Sequence, residues 1–182
     1  MKFERFGPLS SAFYSLLVSL GVFEWAYGAT YKAVERLVPH GGRVLEVGPG
    51  VGVLLRKLSS AGYDAVGIDA SPDMLKRSRA KSVSVAGVSF FLPFRDEVFN
   101  AAVALFTLHH WGEHGPSLRE VKRVLKPGGF FIVVETDQAR LPLVGSHGCT
   151  IRCLQDVLSA EFEVFIERRF PLLLAFAKKP RS

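Results

Sequence analysis

Val44-Leu45-Glu46-Val47-Gly48-Pro49-Gly50-Val51-Gly52 is the stretch from which the fold of this chain can be read. Residues 43–47 form a short apolar, β-branched run, as a strand buried on both faces of a parallel sheet requires. Three glycines at alternating positions follow at once. Glycine lets the backbone turn sharply and lets a ligand approach it closely. Leu54, Leu55 and Leu58 then make the inner stripe of a helix whose free N-terminal N–H groups face that loop. A second apolar run, Ala65-Val66-Gly67-Ile68, ends at Asp69. A carboxylate has only acceptors to offer, and one at this place suits both hydroxyls of a ribose. Strand, glycine loop, helix, strand and acid in this order point to a nucleoside site rather than to a turn beside a solvated Asp.

The glycine spacing narrows the nucleoside. A dinucleotide loop reads G-x-G-x-x-G, with the third glycine allowing close helix packing. Here Val53 holds that position and the third glycine falls at Gly52. A compact G-x-G-x-G loop suits a ligand with no pyrophosphate, which favours S-adenosylmethionine over NAD.

From Arg43 to Glu135 the chain resembles the class I S-adenosylmethionine-dependent methyltransferases, and among them the subgroup of quinone-biosynthesis and other small-molecule methyltransferases. The resemblance is carried by Val44 to Gly52, by Gly67 to Ser71 with Asp73-Met74 after it, and by Leu92-Pro93-Phe94. It continues through Leu108-His109-His110-Trp111 and through Leu118-Arg119-Glu120-Val121, which leads to Leu125-Lys126-Pro127-Gly128-Gly129. It implies that Glu46, Gly48, Gly50 and Gly52 line the methionine and ribose end, that Asp69 binds the ribose hydroxyls, and that Ala70 and Met74 lie near the adenine. Ser89, Leu92 and Phe106 complete the candidate cofactor-binding set. Two departures stand out. Relatives often carry Gly-Asp-Ala before the Leu-Pro-Phe segment, where this chain has Gly87-Val88-Ser89, so adenine recognition leans on backbone groups, Ser89 or apolar contact. Phe99-Asn100 stands where Phe-Asp is usual, and Asn keeps an acceptor that can brace a turn.

The remaining pattern is that of an α/β protein. Ser71-Pro72-Asp73 opens a helix with a capping hydroxyl, a proline in the first turn and an acid at the positive end of the dipole. Strands are expected near 82–86, 101–106 and 130–135, a helix over 116–125, and another over 150–159. The final runs, 162–169 and 172–177, are linked so shortly at Phe170-Pro171 that they form a hairpin, with the last strand antiparallel. The expected fold is a Rossmann-like, doubly wound sheet of seven strands, mostly parallel. Residues 1–40 are expected to form an N-terminal helical cap on the same domain, and 41–182 the methyltransferase domain proper.

Lys2 and Arg5 precede an apolar stretch from Pro8 to Phe23 that superficially resembles a leader. Serines and Gly21 interrupt it, and it falls short of the roughly 20 residues that span a bilayer. It is expected to be an amphipathic cap helix, starting at Gly7-Pro8 and stopping at Gly21, with Phe13, Leu16, Leu17 and Leu20 on one face. Tyr27, Tyr31, Val34 and Val38 continue at helical spacing. No transmembrane segment is expected, and the location expected is cytoplasmic.

The chain has 182 residues, 48% of them hydrophobic and 22% charged, as expected of one soluble domain. Its net charge of +6 would attract anions, nucleic acid among them. The basic residues, as in Lys76, Arg77, Arg79 and Lys81 or Arg119, Lys122, Arg123 and Lys126, lie along helices and read as solvated faces, so nucleic acid is weighed and not favoured. Cys149 and Cys153 make no disulfide framework and read as buried small apolar residues in a reducing compartment. With His147 they are too few for a metal site, and none is expected.

Ligands in such sheets lie beyond the carboxyl ends of the strands. The acceptor should arrive beside the fourth strand, where Thr107, His109, His110 and Trp111 follow, covered by residues 136–146 and the N-terminal helix. His109 and His110 are the candidate catalytic bases, and Trp111 reads as a pocket wall or packing residue. The aromatic and aliphatic load of the first 31 residues suggests a lipophilic acceptor, set against the plainer reading that Phe13, Leu17, Phe23, Trp25 and Tyr27 only pack the helix. The expected function is methyl transfer to a small molecule. The alternatives are an RNA or protein methyltransferase, and a non-catalytic S-adenosylmethionine-binding module.

Overall fold

A computed structural model describes residues 8–80, 83–141 and 148–181. Strands β1 (Arg43–Val47), β2 (Asp64–Asp69), β3 (Ser84–Ala86), β4 (Phe99–Leu105), β5 (Leu125–Thr136), β6 (Glu163–Arg169) and β7 (Leu172–Lys178) form a seven-stranded sheet in the order β3-β2-β1-β4-β5-β7-β6. The first five pair in parallel, and β7 runs antiparallel to both β5 and β6. The expected fold class, with its reversed last strand, is therefore the observed one. The helices are α1 (Pro8–Ser19), α2 (Glu24–Leu37), α3 (Val53–Ser60), α4 (Pro72–Arg77), α5 (His114–Val124) and α6 (Ile151–Leu158).

Alternation along the strands divides the core in two. Val44, Ala101, Val103, Ile132, Val134, Leu172 and Leu174 pack against α2 and α3. Leu45, Val47, Ala102, Phe131, Val133 and Leu173 face the opposite way, onto Leu118 and Val121 of α5 and Leu154 and Leu158 of α6. Both faces of the central strands are thus buried, which is why their sequences read as continuous apolar runs. Trp111 lies in this second layer, stacked on Phe131 at 5.7 Å, and is a packing residue.

Local chemistry sets the helix starts. The Ser71 hydroxyl accepts from the Met74 N–H at 3.3 Å, and the Thr150 hydroxyl accepts from the Cys153 N–H at 3.1 Å. β5 begins earlier than its apolar run because the Gly128-Gly129 segment joins the ladder. Gly128 N donates to Lys179 O, and Lys179 N donates to Gly129 O.

Four expectations need correction. Among the described side chains of α1, Ser11 and Val18 are buried, whereas Leu16, and Leu20 just past the helix end, are exposed; Phe13 has a side chain outside the described ones. The apolar residues were too evenly spread around that helix for periodicity to choose a face. Cys149 and Cys153 are joined in a disulfide, and Cys153 is exposed rather than buried. Cys149 sits just before the Thr150 cap, so one turn separates the two sulfurs; His147 and residues 142–146 of the expected 136–146 cover lie outside the described residues. Arg123 is not a solvated residue. It bonds Glu120, Asp96 and the carbonyls of Leu92 and Phe94. Finally, α5 starts two residues before Pro116, at His114.

Asn100 braces the turn as its chemistry suggested: Oδ1 accepts from Arg43 N at 3.0 Å and from Lys126 Nζ at 3.2 Å. Asn100→Ala is expected to lower stability by about 1 kcal/mol by leaving a partly buried N–H unpaired, while Asn100→Asp stays within about 0.5 kcal/mol of the parent. Urea midpoints at constant m-value measure both.

Candidate active site

The strand order reverses between β1 and β4, and in open sheets of this kind the crevice that takes a ligand lies at such a reversal, beyond the carboxyl ends of the strands. Gly48, Gly50 and Gly52 all have positive φ, at 81°, 54° and 73°. Two of them have no room for a side chain. A Cβ on Gly48 would lie 2.6 Å from Thr107 Cγ2, and one on Gly52 would lie 2.7 Å from Ser78 Oγ.

Asp69 ends β2 with its carboxylate held by the loops on either side. Oδ2 accepts from Gly50 N at 2.9 Å and Oδ1 from Ser71 N at 2.8 Å. Each oxygen keeps a second lone pair. Burial pushes the Asp69 carboxyl above the usual carboxylate range, opposed by these two amides.

Glu46 faces the α3 side of β1 and is fully buried. Burial first, and the charge of Asp69 second, push its carboxyl up to about 8, while the Leu55 N–H at the start of α3 works the other way. Its Oε2 is buried with no hydrogen-bond partner among the described residues. An orphaned acceptor of this kind normally has a partner, and a cationic or N–H donor from a ligand would supply one. This is the observation that tests the fit of an α-amino-bearing nucleoside to the crevice, and the residues fit.

The other expected residues are distributed unevenly. Ala70 is half-buried beside Asp69, and Met74 is buried in the first turns of α4. Ser89 is buried, but its hydroxyl is engaged by Ser117 of α5 at 2.8 Å. Leu92 lies in the core under α5, its N–H donating to Glu120 Oε2. Phe106, at φ 55°, follows β4 with the rings of Phe23 and Trp25 against it, at centroid distances of 6.0 and 6.3 Å.

A turn of 3₁₀ helix, Leu108–His110, carries the two histidines past the end of β4. His109 Nδ1 lies 3.0 Å from Oε2 of Glu135, which is completely buried near the end of β5, and Glu135 Oε1 accepts from Leu108 N at 3.0 Å. His110 packs against His109 with ring centroids 4.0 Å apart. Glu135 and His114, whose Nε2 meets Leu108 O at 3.2 Å, were not singled out from sequence. The available signal for Glu135 was an acid closing an otherwise apolar strand that neighbours the histidine-bearing one.

A family model for a methyltransferase domain matches residues 45–133. The chain is 40% identical over 111 residues to the demethylmenaquinone methyltransferase of Corynebacterium kroppenstedtii, covering 60% of this chain and 48% of that protein. It thus spans about half the length of the curated relatives it matches. Among solved structures, a protein of Methanococcus maripaludis described as an S-adenosyl-L-methionine-dependent methyltransferase aligns over 100% of this chain and 97% of its own, with TM-score 0.81 at 15% identity. A SAM-dependent methyltransferase of Methanosarcina mazei covers 82% of this chain and 98% of its own, with TM-score 0.70 at 19% identity.

The raised carboxyl of Glu46 has a defined linkage sign. Between an unfolded value near 4.5 and a folded value of about 8, the folded state holds the extra proton, so stability falls as pH rises through that window. Glu46→Gln is expected to flatten the decline in ligand-free protein between pH 5 and 8 by on the order of a few kcal/mol. Denaturant titrations of both proteins at a series of pH values give the two slopes.

Proposed function

We propose that this chain, which belongs to the class I S-adenosylmethionine-dependent methyltransferases, transfers a methyl group to a small lipophilic acceptor whose proton passes to His109. The observation that carries this reading is that the orphaned Glu46 carboxyl and the Asp69 carboxylate belong to β1 and β2, while the His109–Glu135 pair stands at the carboxyl ends of the neighbouring β4 and β5. S-adenosylmethionine, when bound, supplies a methyl carbon on a positively charged sulfur.

The rest is work for the chain's own residues. Asp69 accepts from the ribose hydroxyls with the lone pairs its two amide bonds leave over. Glu46 accepts from the α-ammonium group, and the loop of Gly48, Gly50 and Gly52 lets the backbone come close. Ala70 and Met74 offer apolar contact to the adenine side, joined by backbone near Ser89 and Leu92, and Phe106 closes the cofactor site at the end of β4, where the acceptor's side begins.

A carboxylate can only accept, so Glu135 requires the hydrogen to sit on His109 Nδ1, which leaves Nε2 as the nitrogen with a lone pair. That tautomer takes a proton from a hydroxyl acceptor. His110, packed at a tilt against its neighbour, limits the ring's rotation. Holding the acceptor close and dry supplies the remainder of the acceleration. The lipophilic class of acceptor is supported by the aromatic wall of Phe23, Trp25 and Phe106, and by the demethylmenaquinone methyltransferases to which the chain is similar.

Asp69→Ala is expected to weaken binding of S-adenosylhomocysteine by about 1 to 3 kcal/mol, as read by calorimetry. Unchanged affinity would take Asp69 out of the site. With a short-chain demethylmenaquinol as acceptor, His109→Ala is expected to lower kcat by roughly 10²-fold or more while S-adenosylhomocysteine affinity is kept. Glu135→Gln, which can donate to Nδ1 and favour the other tautomer, should lower kcat while S-adenosylhomocysteine affinity is kept. A variant pair with wild-type kcat would dismiss the histidine as base.

A further inference from the structure

We propose that the corner between α1 and α2 is a lipid-facing surface that seats the protein on an anionic bilayer beside the mouth of the crevice. The methyltransferase reading enters only in what that seating would deliver, a lipophilic acceptor.

Four large apolar side chains within ten residues of sequence face solvent at this corner: Leu16 (55% exposed), Leu20 (69%), Val22 (44%) and Trp25 (44%). Leu16 lies in the last turns of α1 and Leu20 just past its end, with Leu20 N donating to Leu16 O at 3.0 Å; Gly21 turns the chain at φ 75°, and Trp25 stands in the first turn of α2. Scattered exposed apolar residues are ordinary, but a contiguous group marks a surface that something covers. The indole N–H of Trp25 donates to Val22 O at 2.7 Å. Its polar atom is therefore satisfied internally, and the ring can leave water without stranding a donor.

The corner is continuous with the site. The Trp25 ring meets Phe106 edge-on, and Phe23 reaches the same ring. Phe106 follows β4 directly, three residues before His109. An apolar path thus runs from the exposed corner to the strand end where an acceptor must stand.

Charge selects the kind of surface. α1 packs on α4, and Arg79 just beyond α4 donates from Nη2 to Ser19 Oγ at 2.9 Å. Lys76 and Arg77 are exposed on α4. The acids facing the same region are Asp73, 3.5 Å from Lys76, and the exposed Glu24. Cations exceed acids there, within a chain of net charge +6. Apolar tips beside a basic shelf are what an interfacial segment presents to anionic headgroups.

The intact protein has a built-in reporter, because its two tryptophans are Trp25 at the corner and Trp111, which is 4% exposed in the core. Titration with vesicles of phosphatidylglycerol and phosphatidylcholine at low salt should shift the emission to the blue, and brominated acyl chains should quench it. Pure phosphatidylcholine should bind far more weakly. Leu16→Ser/Leu20→Ser, both at exposed positions, should bind the anionic vesicles about tenfold or more weakly, with an unchanged unfolding midpoint. An unshifted Trp25 emission at low salt, or equal binding by the double variant, overturns the proposal. So does a blue shift that grows with protein concentration without lipid, which would assign the corner to a second copy. S-adenosylhomocysteine calorimetry on the same samples separates the two readings. Retained nucleoside binding without vesicle binding sinks only the lipid surface, and lost nucleoside binding sinks the methyltransferase reading.

Discussion

Thr107 fills the space where a Cβ of Gly48 would stand, and its hydroxyl closes on the Val47 carbonyl at 3.0 Å. This one contact fastens the end of β4 to the end of β1 where the strand order reverses. It explains why Gly48 cannot be another residue, since both a positive φ and the Thr107 methyl forbid a side chain. It also fixes the spacing between the two halves of the site. The glycine loop and Asp69 hang from β1 and β2, and the histidine turn begins one residue after Thr107. A looser junction would leave both halves intact and useless to each other, because transfer between two bound molecules depends on their relative placement.

Two buried glutamates show how one residue type is turned to different ends by its neighbours. Glu135 has both oxygens engaged, one by the Leu108 amide and one by His109. It is a fixed part of the frame, tying the Leu108–His110 turn to the end of β5. Glu46 keeps an oxygen with no partner and is pushed toward neutrality by burial and by Asp69. Leaving it so costs the ligand-free protein stability, and a cationic ligand group would offset that cost at the moment of binding. The first carboxylate is fully engaged within the fold, whereas the second keeps an acceptor that the fold does not satisfy.

The parts legible in the sequence are those where local chemistry and tertiary demand agree. β1, the glycine loop and Asp69 are set by burial on both faces, by positive φ and by an acid at a strand end, and each leaves a mark in a few consecutive residues. The hairpin of β6 and β7 followed from a connection too short for any other geometry. Asn100 could be read as a brace because its acceptor survives the replacement of Asp. Where partners come from distant segments the sequence is silent: Glu135 lies 26 positions from His109, and Arg123 finds the carbonyls of Leu92 and Phe94 only once α5 has docked. The inward face of α1 was misjudged for another reason. Its apolar residues surround the helix, and Ser11, small enough for close approach, takes a buried place that a hydrophobic pattern would never assign it.

Phe106 connects these observations to the cap. A bulky non-glycine residue at φ 55° is in a sparsely populated region that costs on the order of 1 to 3 kcal/mol. It persists only where surrounding contacts over-determine it, and here the rings of Phe23 and Trp25 lie against it while its N–H donates to Val134 O at 2.9 Å. Two of those three restraints come from the α1–α2 corner. The backbone that carries the histidines away from β4 is therefore held in place partly by residues of the cap. The α1–α2 corner and the end of β4 are thus packed as one unit through the same two rings, and a change at either is felt at the other.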